Sequence, residues 1–341
     1  MIAMSVFMIE NDRRVRRVRS VLCVGLDPTP EHVPPVYGDC LDLAVMQTYL
    51  SDVVNLAAEK VAVVKPQFAY YGALGPDGIR MMIEVIEYAK GMGLPVILDA
   101  KRADIGDTME QYGGEVFGQY GVDLCTFVPY LGSTFLPSGK SKGWLPWLEM
   151  GHGVIPMIMT SNPESVSVQM LELKDGRYVY QAMAEMVRGW ADEVQGLTDG
   201  AGTVGGVVGA TFPEQAQDIR RIVGPKLLFL IPGYGAQGGG ADGAVAGFPE
   251  TGELSGFVNS SRGITRDSWR DPKTGKPREG DPLKLVAAAI DNANAELNAA
   301  LAAKLGHDPY GAADSDPALQ PPCMLCGSSE HATDQCGKNW E

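Results

Sequence analysis

Eight short apolar segments punctuate the chain, at 21–27, 61–65, 95–101, 124–128, 154–160, 204–210, 227–231 and 256–260, each bounded by Gly, Pro or polar residues. Runs this short and this rich in Val, Ile and Leu read as strands buried on both faces. Between them, stretches such as 43–60, 78–90 and 180–194 space their apolar residues three and four apart, as amphipathic helices do. Strands alternating with helices eight times predict an α/β fold, a closed (β/α)8 TIM barrel over roughly residues 20–300. A doubly wound open sheet is the competitor, but no GxGxxG turn follows the first strand. Lys174-Asp175-Gly176-Arg177 predicts a hairpin turn inserted after the fifth strand, and 266–281 a long polar loop after the eighth. An alanine-rich final helix is expected over 287–305. The chain then divides into a barrel domain (1–305), a Pro/Asp/Ala linker (306–322) and a short cysteine-bearing C-terminal extension (323–336).

The third segment carries the strongest chemical signal, Asp99-Ala-Lys101-Arg-Ala-Asp104-Ile-Gly-Asp-Thr108. Strand alternation puts Asp99 and Lys101 on one face, so an acid and an amine leave the strand end side by side. Buried charge is costly unless paired, so this pattern is either a structural ion pair or a functional array. The other segments decide between them. Their carboxyl ends, where barrels of this type hold their sites, bear Asp27, Lys65, Ser161 and Arg262. The seventh segment runs into Pro-Gly-Tyr-Gly235-Ala-Gln237-Gly-Gly-Gly, a loop whose backbone N–H groups can approach an anion. Arg262, just past the eighth segment, can add a planar clamp for the same anion.

Composition narrows the partners. The chain has 341 residues, 45% of them hydrophobic, and a net charge of -14, which opposes broad binding to nucleic acid or to a membrane surface. No apolar run approaches the roughly 20 residues that span a bilayer. A cytoplasmic enzyme is expected. Arg13, Arg14, Arg16, Arg17 and Arg19 read as the solvated face of a short helix before the first strand. Cys23 and Cys125 lie in apolar runs and read as buried free thiols, while Cys40 is isolated.

The motifs VGLDP, VVKPQ, LDAKRADIGDT, TSNPES, PGYGAQGG and NSSRGI occur in one order over roughly residues 15–300. In this the chain resembles the orotidine 5'-phosphate decarboxylase family in its longer bacterial and archaeal form, with Ala103 where relatives often carry Gly. The resemblance implies cofactor-free loss of CO2 from orotidine 5'-phosphate, giving UMP. It implies Lys101 as proton donor to C6, Asp99 facing the substrate carboxylate, and Lys65 and Asp104 completing an alternating charge array. Asp27 and Lys65 would hold the ribose, Ser161 the pyrimidine edge, and Gly235, Gln237 and Arg262 the phosphate region. It further implies a homodimer with shared sites, Asp104 and Thr108 serving the neighbouring subunit. A metal-dependent sugar-phosphate enzyme of the same suprafamily and a catalytically idle barrel kept as an interaction module are the competing readings. The intact Asp99, Lys101 and Asp104 set argues against the idle barrel.

The extension is separate. Cys323, Cys326, His331 and Cys336 follow C-x2-C-x4-H-x4-C, the spacing of a CCHC zinc knuckle, and match a tetrahedral structural Zn2+ site, although Glu330 replaces the glycine usual before the His; a disordered tail with free thiols is the alternative. Lys338 is the only basic residue after Lys304, and Trp340 the only tryptophan there, so nucleic-acid binding by the extension is not expected.

Overall fold

The structure, a computed structural model, describes residues 4–235 and 238–311. Eight strands form the expected barrel: β1 (Leu22–Leu26), β2 (Val63–Pro66), β3 (Ile97–Arg102), β4 (Leu124–Phe127), β5 (Gly153–Met159), β6 (Thr203–Val208), β7 (Leu228–Ile231) and β8 (Gly256–Ser260). Neighbours run in the order β2-β1-β8-β7-β6-β5-β4-β3. All of these paired neighbours are parallel. The ring closes between β2 and β3 through the parallel bridges Val64↔Val96 and Gln67↔Asp99. Closure rules out the open doubly wound sheet. β1, β4, β6 and β7 are buried along their whole length, as strands enclosed by side chains on one face and helices on the other must be.

Helices cover the barrel where the apolar spacing predicts them. Leu43–Ala57 is capped by the Asp42 side chain accepting from the Ala44 N–H. Gly75–Gly91, Val179–Leu197 and Pro213–Val223 continue the outer layer. The final helix begins at Pro282, earlier than its alanine-rich run suggests. Asp281 caps it, Pro282 suits its first turn, and Gly306 ends it at a φ of 75°. Packing continues beyond this helix to Tyr310, which is buried, lies under the Arg19 guanidinium at 5.2 Å and donates its hydroxyl to Asn298. The hairpin at 174–177 forms, with Glu172 bridged antiparallel to Tyr178 and Leu173 N–H bonded to Arg177 O at 2.7 Å. The segment 266–281 is an irregular loop containing the antiparallel bridge Arg270↔Pro277.

The basic cluster needs correcting. It does lie on a helix, Val6–Val18, but Arg14 is buried rather than solvated. Its guanidinium donates to Ala58 O (2.6 Å), Val61 O (2.9 Å), Ala62 O (3.0 Å) and Gly93 O (3.1 Å), carbonyls that lead into β2 and β3. Arg220 does the same across the barrel's amino-terminal end, donating to Gly224, Leu227, Gly247 and Ser255 carbonyls with its guanidinium 3.7 Å over the Phe229 ring. Five donors in a rigid planar fork suit an arginine to gather carbonyls that would otherwise be buried unbonded. Composition alone cannot separate such a clamp from a surface charge. Cys23 and Cys125 are buried free thiols as expected, and Cys40 is half-buried.

Candidate active site

The carboxyl ends of the strands surround a cavity of about 470 Å³, to which Asp27, Lys65, Asp99, Lys101, Ser161 and Arg262 all contribute. Strand ends point their last side chains into this space because the chain must turn there toward the covering helices.

Asp99 is the hub. Its Oδ2 lies 3.3 Å from Lys65 Nζ, and its Oδ1 lies 2.6 Å from Lys101 Nζ. The Thr126 hydroxyl, from β4, donates to Oδ1 at 3.0 Å. Burial alone would push the Asp99 carboxyl upward, but Lys65, Lys101 and Thr126 together bring it down to about 2. Burial likewise favours the neutral form of Lys65, yet the Asp99 and Asp27 carboxylates raise it above the ordinary lysine value. Asp27 sits at the end of β1. Burial pushes its carboxyl up, against the opposing effects of Lys65, the Ser261 hydroxyl and the Gln67 N–H. One of its oxygens, Oδ1, is buried with no hydrogen-bond partner among the described residues, which suits a ligand hydroxyl.

Asp99 and Lys101 converge as the sequence suggests, but not by simple alternation. The β3–β4 register pairs Leu98 with Cys125 and Arg102 with Phe127, so Asp99, Ala100 and Lys101 lie opposite Thr126 alone. Lys101 adopts a φ of 49°, in the left-handed region that non-glycine residues seldom enter. This bulge aims the lysine into the cavity. Arg102, next along, turns away and forms a two-point ion pair with Glu115 at 2.9 and 2.7 Å while resting 4.2 Å over the Phe68 ring.

Two glycines admit rim residues to their positions. A Cβ on Gly25 would stand 1.7 Å from Ser261 Oγ, so only glycine lets Ser261 lean over β1. Gly233 has a φ of 104° and a Cβ there would lie 2.9 Å from Ser161 Cβ. Gly235 is not part of the cavity wall; its N–H donates to Gly239 O at 2.9 Å within its own loop. Asp104 is half-buried outside the cavity, its Oδ1 accepting the Ile105 N–H at 2.8 Å, and Thr108 is exposed nearby. Gln237, Cys323, Cys326, His331 and Cys336 lie outside the described residues, among which no group of three or more His, Cys, Asp or Glu is placed to hold a metal. Sequence reasoning missed Gln67, Thr126, Asn259 and Tyr234, which also line the cavity. Gln67, Tyr234 and Asn259 fall inside quoted motifs and could have been found there. Thr126 carries no such signal.

A closed parallel barrel with acids and amines crowding its carboxyl-end rim defines a (β/α)8 protein with its site at the strand ends. The family model described as orotidine 5'-phosphate decarboxylase / HUMPS family matches residues 20–274, and the chain belongs to that family. A relative from Rhodopirellula baltica named orotidine 5'-phosphate decarboxylase is 34% identical over 312 residues, covering 86% of this chain and 99% of its own. One of the same name from Halorubrum lacusprofundi is 39% identical over 256 residues, 74% of this chain and 84% of its own. The solved structure of Leishmania donovani OMP decarboxylase superposes with a TM-score of 0.65 at 29% identity, over 86% of this chain and 99% of that one.

The Asp99 environment makes stability depend on pH. A carboxyl held at about 2 in the fold, against an ordinary 3.8, takes up its proton later in the folded chain than in the unfolded one. The stabilisation is therefore complete above about pH 4 and is lost as pH falls toward 2, a difference on the order of 2 kcal/mol. Urea unfolding of wild type should show this loss between pH 4 and 2, and Asp99→Asn should lack it. An identical pH slope in the two proteins would remove Asp99 from the account.

Proposed function

We propose that the chain converts orotidine 5'-phosphate to UMP and CO2 without a cofactor, the last step of de novo pyrimidine nucleotide synthesis. The observation that carries this is the Lys65–Asp99–Lys101 array, two ammonium groups 3.3 and 2.6 Å from one carboxylate at the cavity wall. When the C6–carboxyl bond breaks, its electron pair stays on C6 in the ring plane, with little resonance relief. A fixed ammonium beside C6 stabilises that charge without reorganising, which water cannot do. Lys101 then passes a proton to C6 as CO2 departs. Asp99, kept ionised by its neighbours, faces the departing carboxylate and favours its loss.

Around this centre, the unpartnered Asp27 oxygen and Lys65 take the ribose hydroxyls, Ser161 meets the pyrimidine edge, and Arg262 with the loop of Gly235 and Gln237 takes the phosphate. Asp104 and Thr108 lie outside the cavity of their own chain, which supports a homodimer in which they complete the neighbouring site. Ile105, between them in sequence, is 63% exposed, as an interface residue would be in an isolated subunit. We assign the protein to the cytoplasm on its acidic, soluble composition and its buried free thiols. No helix among the described residues is long and apolar enough to cross a membrane. We also assign a structural Zn2+ to Cys323, Cys326, His331 and Cys336, on ligand spacing alone.

Loss of absorbance as orotidine 5'-phosphate becomes UMP, with EDTA present, tests the reaction and separates it from metal-dependent chemistry of the same suprafamily. Lys101→Ala should lower turnover by several orders of magnitude, each tenfold being about 1.4 kcal/mol of transition-state stabilisation. Retention of a tenth of wild-type activity would sink the proposed role.

Subunit mixing tests the shared site. Lys101→Ala and Asp104→Ala homodimers should each be inactive. After exchange about half the dimers are mixed, and each mixed dimer has one site with both groups intact, as two-fold pairing requires. Activity should approach a quarter of wild type. No recovery despite proven exchange would place Asp104 in its own chain's site.

Zinc analysis tests the extension. The full chain should carry one Zn2+, and a chain ending at Gly311, which keeps the buried Tyr310, should carry none while turning over normally. Equal zinc in both would refute the assignment.

A further inference from the structure

One fully buried side chain at the site has no role in the chemistry just described. Thr126, in the middle of β4, is the only residue opposite the three-residue bulge of β3. Its Oγ1 accepts the Lys101 N–H at 2.9 Å and donates to Asp99 Oδ1 at 3.0 Å. Asp99 Oδ1 in turn accepts from Lys101 Nζ at 2.6 Å. The ring of contacts is closed: Lys101 backbone, Thr126 hydroxyl, Asp99 carboxylate, Lys101 ammonium.

A strained bulge needs its orphaned backbone N–H satisfied, since it leaves the β-ladder there. A hydroxyl can do this and still donate, having one hydrogen and two lone pairs. Valine has the same shape and could do neither. Serine could do both.

We propose that Thr126 is a positioning residue, holding the Lys101 bulge and the Asp99 carboxylate in one fixed relation so that ammonium and carboxylate meet the substrate together. This rests on the decarboxylase reading for its kinetic part but not for its structural part. Thr126 does not deliver a proton or a charge. It acts through Lys101 and Asp99, so its removal acts on turnover more than on binding. The ribose, pyrimidine and phosphate contacts assigned to Asp27, Ser161 and Arg262 stand just past other strands and are untouched.

Thr126→Val and Thr126→Ser, both as full-length protein, test this. Thr126→Val should lower kcat about 10- to 100-fold with KM within about 3-fold, the effect expected when a buried bond to a charged group is lost. Thr126→Ser should restore kcat to within about 3-fold of wild type. Amide hydrogen exchange supplies a readout independent of any substrate: the Lys101 N–H should exchange faster in Thr126→Val and at the wild-type rate in Thr126→Ser. Should Thr126→Val fail to fold, Thr126→Cys, of similar volume and weaker hydrogen bonding, takes its place in the comparison. Unchanged exchange at Lys101 overturns the proposal whatever the substrate. So does equal impairment of the valine and serine variants, which would mean packing rather than the hydroxyl, or a loss confined to KM. A wild-type protein that fails to turn over orotidine 5'-phosphate, while the exchange result holds, would instead overturn the proposed reaction.

Discussion

The rim of this barrel depends on one carboxylate shared by two amines. Lys65 is almost sealed, with 6% of its side chain exposed, while Lys101 keeps 45%. A sealed ammonium is tolerable only beside an ionised partner, and a buried carboxylate only beside a cation. Asp99 meets both demands at once. It neutralises Lys65 permanently and leaves Lys101 facing the open side of the cavity, where a charge can meet something else. Turning Asp99 away would leave the inner lysine with the Asp27 carboxylate alone, so the arrangement favours its own orientation.

The same economy accounts for the strain at Lys101. A non-glycine residue in the left-handed region costs on the order of 1–3 kcal/mol and persists only where its surroundings over-determine it. Here Thr126 holds the backbone from the barrel interior. Arg102, fixed by Glu115 and the Phe68 ring, holds the next residue from outside. A residue pinned from both sides cannot relax into the regular ladder, and the amine reaches the cavity through a bulge rather than through regular alternation.

Much of this is legible in the sequence. Short apolar runs with charged ends reported the eight strands because parallel barrel strands are buried on both faces and open at one end. Alternation predicts the convergence of Asp99 and Lys101, yet it arises from a bulge that no pattern of apolar residues encodes. Arg14 reads as solvated because a guanidinium that gathers Ala58, Val61, Ala62 and Gly93 carbonyls looks, in sequence, like any arginine on a helix. Thr126 escaped because its importance comes from what lies across the sheet. Local pattern reports burial and turn chemistry well. It does not report which distant backbone group a polar side chain will meet.

The buried Arg14 also bears on the order in which this chain can assemble as it is made. Its helix precedes every strand of the barrel in sequence, and the carbonyls it gathers belong to residues 44 to 79 positions downstream. β1 must wait far longer, since one of its two neighbours is β8, paired through Leu22↔Val258. A nascent chain therefore carries Arg14 without its carbonyls, and then β1 with one open edge until β8 has been made. Arg14 therefore stays hydrated until those residues arrive, and only then becomes a clamp on the carbonyls that lead into β2 and β3.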